Sequence, residues 1–225
     1  QPVHRSSHIE VFRADIMPRQ GETPDYWEDA KRRLCLIDPG LAAVINAKGE
    51  PGLSSRGDLF ATLVKAIVGQ QISIKAAATV WGRVVDLIGE VKPESVLAHT
   101  HEELRSCGLS NRKAEYVAGI AEAWQGGYAE YDWDSMDDER AIELLVALRG
   151  VGRWTAEMVL IFTLLRPDVF PIDDLGVVRG MEKVYNEGEV LDRAELNDIA
   201  SNWSPWRTVG SWYMWRAIDP EPIEY

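Results

Sequence analysis

Residues 145–174, LVALRGVGRWTAEMVLIFTLLRPDVFPIDD, hold the side chains best suited to chemistry. They contain a glycine hairpin, Gly150-Val151-Gly152, and two adjacent carboxylates, Asp173 and Asp174. A very short glycine turn between helices leaves the first N–H groups of the second helix unpaired, and the helix dipole adds partial positive charge there. The N–H groups of Gly150, Gly152, Arg153 and Thr155 then converge on one spot that suits a phosphate. The same pattern fits an ordinary helix–helix turn with a glycine stop. A carboxylate fixed in a water-poor site stabilises positive charge that develops during a reaction. Asp174 equally suits the N-cap of a helix starting at Leu175, and the two roles are compatible. Asp173 reads as the structural member of the pair.

These groups need elements to hold them, and the chain supplies helix after helix. Apolar spacing and caps predict helices over 25–36, 41–47, 59–68, 74–88, 93–98, 101–107, 111–124, 137–148, 154–165, 174–185, 194–203 and 206–218. Asp25, Ser73 and Ser110 are expected caps, Asp38-Pro39-Gly40 an expected turn, and Pro205 fits the first turn of the last helix. Residues 1–24 read as an irregular arm, with a strand at Ile9–Phe12 left open. From residue 25 onward no alternating strand pattern is sustained, so the expected class is all-α, with two lobes. Three units are expected: 1–57, an arm and helices packing with the C-terminal lobe; 58–165, ending in the hairpin motif; and 166–225, carrying Asp174.

Composition limits the partners. An apolar content of 46% is ample for a core in 225 residues. No run of eighteen apolar residues is present, so no membrane span is expected, and the first residues lack a leader pattern. Two cysteines, Cys35 and Cys107, make neither a disulfide framework nor a four-cysteine metal site, and a reducing, cytoplasmic setting is expected. The net charge of −12 weakens long-range attraction to nucleic acid. Its distribution softens that objection, because residues 128–225 hold 20 of the 36 acids and only 9 of the 24 bases. Backbone N–H contacts to phosphate need no net positive charge. Arg153, Arg112, Lys113 and Lys75 flank the proposed face, although each alone reads equally as a surface charge.

Four stretches together resemble the helix-hairpin-helix (HhH-GPD) DNA glycosylase superfamily, and within it the 3-methyladenine DNA glycosylase II type: AIVGQQISIKAA (66–77), LSNRKAEYVAGIA (109–121), LRGVGRWTAEMVL (148–160) and DVFPIDDLGVVRG (168–180). The PWR triplet (205–207) supports them. The resemblance implies release of alkylated purines, 3-methyladenine and 7-methylguanine, from double-stranded DNA by base flipping, in a monomer. Alternatives are a glycosylase for uracil, hypoxanthine or mismatched thymine, and a non-catalytic hairpin module that only holds duplex.

The resemblance also assigns roles. The family's catalytic aspartate falls on Asp174. Where lyase members carry a lysine nucleophile, this chain has Trp154, implying a monofunctional enzyme with that indole stacked on the flipped base. Trp215 matches a pocket aromatic, and Met158 stands where some relatives have a pocket tyrosine. The turn Gln70-Gln71-Ile72 lies where relatives push a wedge into the duplex, with Gln71 the first choice; the residues alone also fit a plain polar turn. Family hairpins can hold a sodium or potassium ion through backbone carbonyls, here of Val146, Leu148 and Val151. No cofactor is implied as a requirement, and the iron–sulfur cysteine motif of one branch is missing.

Overall fold

Twelve α-helices and one short 3₁₀ turn (Tyr128–Glu130) build residues 18–219, the part of the chain that the computed structural model describes. No strand occurs among the described residues. The Ile9–Phe12 stretch lies outside them. No described helix is long and apolar enough to cross a membrane.

The helices are α1 (Trp27–Ile37), α2 (Pro39–Lys48), α3 (Leu59–Gly69), α4 (Ile74–Ile88), α5 (Pro93–Leu97), α6 (His101–Ser106), α7 (Asn111–Gln125), α8 (Asp138–Val146), α9 (Arg153–Phe162), α10 (Leu175–Tyr185), α11 (Arg193–Ser201) and α12 (Arg207–Ile218). Side-chain caps start eight of them: Asp38, Asp58, Ser73, Thr100, Ser110, Asp137, Asp174 and Asp192 each accept an N–H of the first turn.

Three expectations at helix starts need correction. Asp38-Pro39-Gly40 is a capped helix start, because Asp38 accepts from Leu41 N at 2.9 Å and Pro39 occupies the first turn. Asp25 caps nothing; Tyr26 stands at the N-cap of α1. Pro205 precedes α12, because Trp206 has non-helical dihedrals (φ −126°, ψ 42°) and serves as its N-cap.

Helices α3 to α9 pack with one another around α7, while α1, α2 and α11 pack with the tight α10–α12 pair. Gly180 makes that pair close: a Cβ there would sit 2.2 Å from the Met214 carbonyl oxygen. The groups meet at the C-terminal end of α9. There Arg56 N donates to Phe162 O at 2.8 Å, Ser55 Oγ to Thr163 O at 2.9 Å, and Tyr26 OH to Leu165 O at 2.8 Å. The start of α12 is pinned by Arg207, whose Nε and Nη2 reach the Asp168 carboxylate at 2.8 and 3.1 Å. Burial raises the Asp168 pKa, but hydrogen bonds from Arg207 and Ser204 more than reverse this. Trp27, Trp203 and Trp215 are fully buried in a continuous apolar core.

Candidate active site

Asp174 lies at the junction of α9, α10 and α12, and only 4% of it is exposed. Its Oδ1 accepts from Val177 N at 2.9 Å, which caps α10, and from Trp215 Nε1 at 2.8 Å. Its Oδ2 accepts from Trp154 Nε1 at 2.8 Å. The cap and the chemical candidate are therefore one residue. Three N–H donors fill three of about four acceptor directions of a carboxylate, leaving one on Oδ2 for a substrate atom or water. The α10 dipole adds positive potential at the same place. Gly176 keeps the arrangement open, since a Cβ there would lie 2.8 Å from Trp215 Cδ1 and 3.1 Å from Asp174 Oδ1. Asp173 turns outward and pairs with Arg193 at 2.7 Å.

Trp154 is the most exposed of the nine tryptophans, at 39%. A large aromatic is left half in solvent here because its N–H is held by a buried carboxylate while its ring edges the surface. Met158, one turn further along α9, is 7% exposed. The expectation for Trp215 needs correction. It is fully buried, with its ring stacked on Phe162 at 5.5 Å, so it holds Asp174 from beneath rather than walling a pocket.

The hairpin joins α8 to α9. Gly150 has φ +92°, and a Cβ there would lie 2.4 Å from the Tyr116 ring, so both backbone and packing demand glycine. Gly152 has an ordinary φ of −92°, and a Cβ there would meet nothing within 4 Å. Its side is open to an approaching backbone. No side chain caps α9. α1, α5 and α12 also start without a side-chain cap, but α9 is the one that follows the glycine hairpin, and there a bound phosphate would supply the missing acceptor. Thr155 is buried, so its hydroxyl is not presented at the surface there. Arg153 is already engaged, with Nη2 2.8 Å from Glu139 and Nε 3.2 Å from Glu157. The hydrogen bond from Arg153 lowers the Glu139 pKa, whereas burial raises that of Glu157.

For the expected cation, the carbonyls are the test. The helix-terminal Val146 carbonyl accepts no backbone N–H, and the Leu148 carbonyl accepts one, from Val151 N at 3.1 Å, keeping a lone pair. Among the described residues no cluster of three His, Cys, Asp or Glu could hold a metal. The donor set thus fits only a hard cation bound through carbonyls.

The Gln70-Gln71-Ile72 turn, expected as the wedge, is tied to the hairpin. Gln70 Nε2 donates to Gly150 O at 3.0 Å, which engages this side chain and sets it apart from Gln71 and Ile72. Gln71 adopts φ +58° and is exposed; Ile72 is 41% exposed. Lys113, expected as a surface cation, points inward instead. Its Nζ donates to Val68 O at 2.8 Å and Gln70 O at 2.7 Å, closing the C-terminal end of α3, and burial lowers its pKa. Sequence reasoning missed Tyr116, which lies under Gly150 and beneath the Arg149 guanidinium at 5.7 Å. Its only signal was the spacing from Lys113, one helical turn away on α7.

Asp38 provides an internal comparison. It too is a buried N-cap with aromatic donors, Tyr185 OH at 2.8 Å and Trp203 Nε1 at 2.9 Å. Burial, then Asp38, raises the Tyr185 pKa. A caged carboxylate alone therefore does not mark a site. Asp174 differs in standing beside an uncapped hairpin and an exposed indole.

The family model described as "HhH-GPD superfamily base excision DNA repair protein" matches residues 64–205. DNA-3-methyladenine glycosylase 1 of Schizosaccharomyces pombe is 32% identical over 162 residues, 70% of this chain and 71% of that one. A solved DNA-3-methyladenine glycosidase from Bacillus halodurans superposes with a TM-score of 0.77 at 36% identity, over 84% of this chain and 88% of the other. The S. pombe 3-methyladenine DNA glycosylase in complex with abasic DNA gives a TM-score of 0.73 at 29% identity, over 83% and 95%. With its hairpin, its caged aspartate and these likenesses, the chain belongs to the HhH-GPD superfamily of base excision DNA repair proteins.

Proposed function

We propose that this protein is a monofunctional DNA N-glycosylase that removes alkylated purines from double-stranded DNA, acting as a monomer. The observation that carries the reading is Asp174, a buried carboxylate with one open acceptor direction, beside the exposed Trp154 indole. The uncapped start of α9 and the hairpin N–H groups take a phosphate, which positions the strand without reading sequence. The target nucleotide is extruded, and Gln71 with Ile72 fills the gap, offsetting an unstacking cost of a few kcal/mol. Trp154 stacks on the flipped base, with Met158 beside it.

An N-alkylated purine carries positive charge before it leaves. The electron pair of the glycosidic bond departs with the base and neutralises it. Positive charge then develops on the sugar, where Asp174 stabilises it. Water bonds to C1′ and loses its proton to solvent, leaving an abasic site. Trp154 occupies the position after the hairpin, where a lyase needs an amine, so no Schiff base forms. The hairpin carbonyls of Val146, Leu148 and Val151 would hold a sodium or potassium ion, whose charge would reinforce the phosphate grip. A module that merely holds DNA gains nothing from a buried carboxylate facing the duplex.

Incubation with methylated duplex DNA and chromatography of the released bases tests the reading. Free 3-methyladenine and 7-methylguanine with intact abasic strands are expected. Release of neither base, or strand cleavage at the abasic site without added base or amine, contradicts it.

A further inference from the structure

Helix α4 starts immediately after the wedge turn and is poorly packed for its length. Of its fifteen residues only Val84 and Ile88 are buried. Residues 71–76 are all exposed, with Ile74 at 79%. Lys75, Thr79 and Arg83 repeat every fourth residue and so share one stripe. Together with Ser73, Ala76 and Val80 they line a shallow concavity of about 400 Å³.

Many cations of the chain are ion-paired. Arg140, Arg153, Arg166, Arg193 and Arg207 all have acid partners. The Lys75 and Arg83 side chains have none among the described residues, although acids outnumber bases 36 to 24. Two unpaired cations on the exposed side of a helix that packs against α3 with its other side call for an anionic partner. Small residues between them (Ala76, Ala78 and Gly82) let a second backbone come close.

We propose that the Lys75–Thr79–Arg83 stripe is a second DNA-backbone contact, which receives the phosphates of a strand running away from the wedge turn. This rests on the glycosylase reading and extends its DNA footprint beyond the hairpin. Eight helical residues span about 12 Å, roughly three phosphates along one strand. The Gln70 and Lys113 hydrogen bonds fix the base of α4 relative to the hairpin, so both contacts meet the duplex at a set separation.

The test is the salt dependence of affinity for a duplex with a stable abasic-site analogue, measured by fluorescence anisotropy from 50 to about 300 mM KCl. Each of Lys75→Gln and Arg83→Gln should reduce the slope of log K against log [salt] by about 0.9, and the double variant by about twice that. Lys48→Gln, an unpaired cation on α2, should leave the slope unchanged. A double variant with the wild-type slope overturns the proposal, as does an equal effect of Lys48→Gln, which would make the effect one of net charge. Self-association of the wild type that the double variant abolishes, with an unchanged DNA slope, assigns the face to a second copy and also overturns it. A wild type with no duplex affinity overturns both this surface and the glycosylase reading.

Discussion

The Trp154 indole N–H donates to Asp174 Oδ2 at 2.8 Å, and this bond joins α9 to the N-terminus of α10. The residue at the hairpin position proposed to exclude lyase chemistry is therefore tied directly to the carboxylate proposed as catalytic. Under the proposed function Trp154 has two roles, a stacking face and a hydrogen bond that aims the carboxylate.

The two functions separate by substitution. Trp154→Phe keeps a ring and loses the N–H; Trp154→Ala loses both. Base stacking on an aromatic is worth about 1–3 kcal/mol. Trp154→Ala should therefore lower kcat/KM for base release by about 10- to 100-fold more than Trp154→Phe does. Equal losses in the two variants would mean that the ring makes no contact with the base.

The wedge turn and hairpin should act as one body. Gln70 and Lys113 hold the turn through Gly150 O, Val68 O and Gln70 O. Lys113→Met should slow base extrusion, read by a fluorescent reporter base opposite the lesion, by about tenfold, one hydrogen-bonded contact to a charge being worth about 1.5–3 kcal/mol. Binding to undamaged duplex should change much less. A variant that loses both equally would make Lys113 a general stabiliser of α3 and α7.

Glu157 gives a pH signature. Burial raises its pKa above the ordinary value of 4.5, against the opposing pull of Arg153. A group with a raised folded-state pKa contributes stability that is full below the unfolded value and is lost as pH rises through the folded one. Glu157→Gln keeps the buried amide neutral throughout. The Tm of the variant minus that of the wild type should therefore grow between pH 4 and neutrality. A flat or falling difference over that window would show that pairing with Arg153 outweighs burial.

How much of this was legible in the sequence follows from which forces each element obeys. Ser73, Ser110 and Asp174 sit at helix starts because capping is local, satisfied within three residues, and so is visible in sequence. The all-helical class followed from apolar spacing in the same way. The Asp38-Pro39 signal is also local but ambiguous, because Asp-Pro-Gly suits a turn and a capped helix start alike. Lys113 could not be placed from sequence. Its inward direction depends on the α3 terminus 43 and 45 positions away in the chain. Trp215 lies beside Asp174 as the sequence suggests, but its burial is not legible there, because it is set by α10–α12 packing that Gly176 and Gly180 permit.

The central claim is that Asp174 stabilises the developing charge. Single-turnover base release by Asp174→Asn, paired with its affinity for abasic-analogue duplex, tests this most directly. Asparagine keeps the α10 cap, so folding should survive. Its amide leaves Trp154 Nε1 facing a donor or Trp215 Nε1 without its acceptor, and it removes the negative charge. Release should fall by at least about 10²–10³-fold, the usual effect of removing one pre-organised electrostatic group, with duplex affinity within a few-fold of wild type. Near-normal release by a folded Asp174→Asn protein would contradict the account and move the chemistry elsewhere.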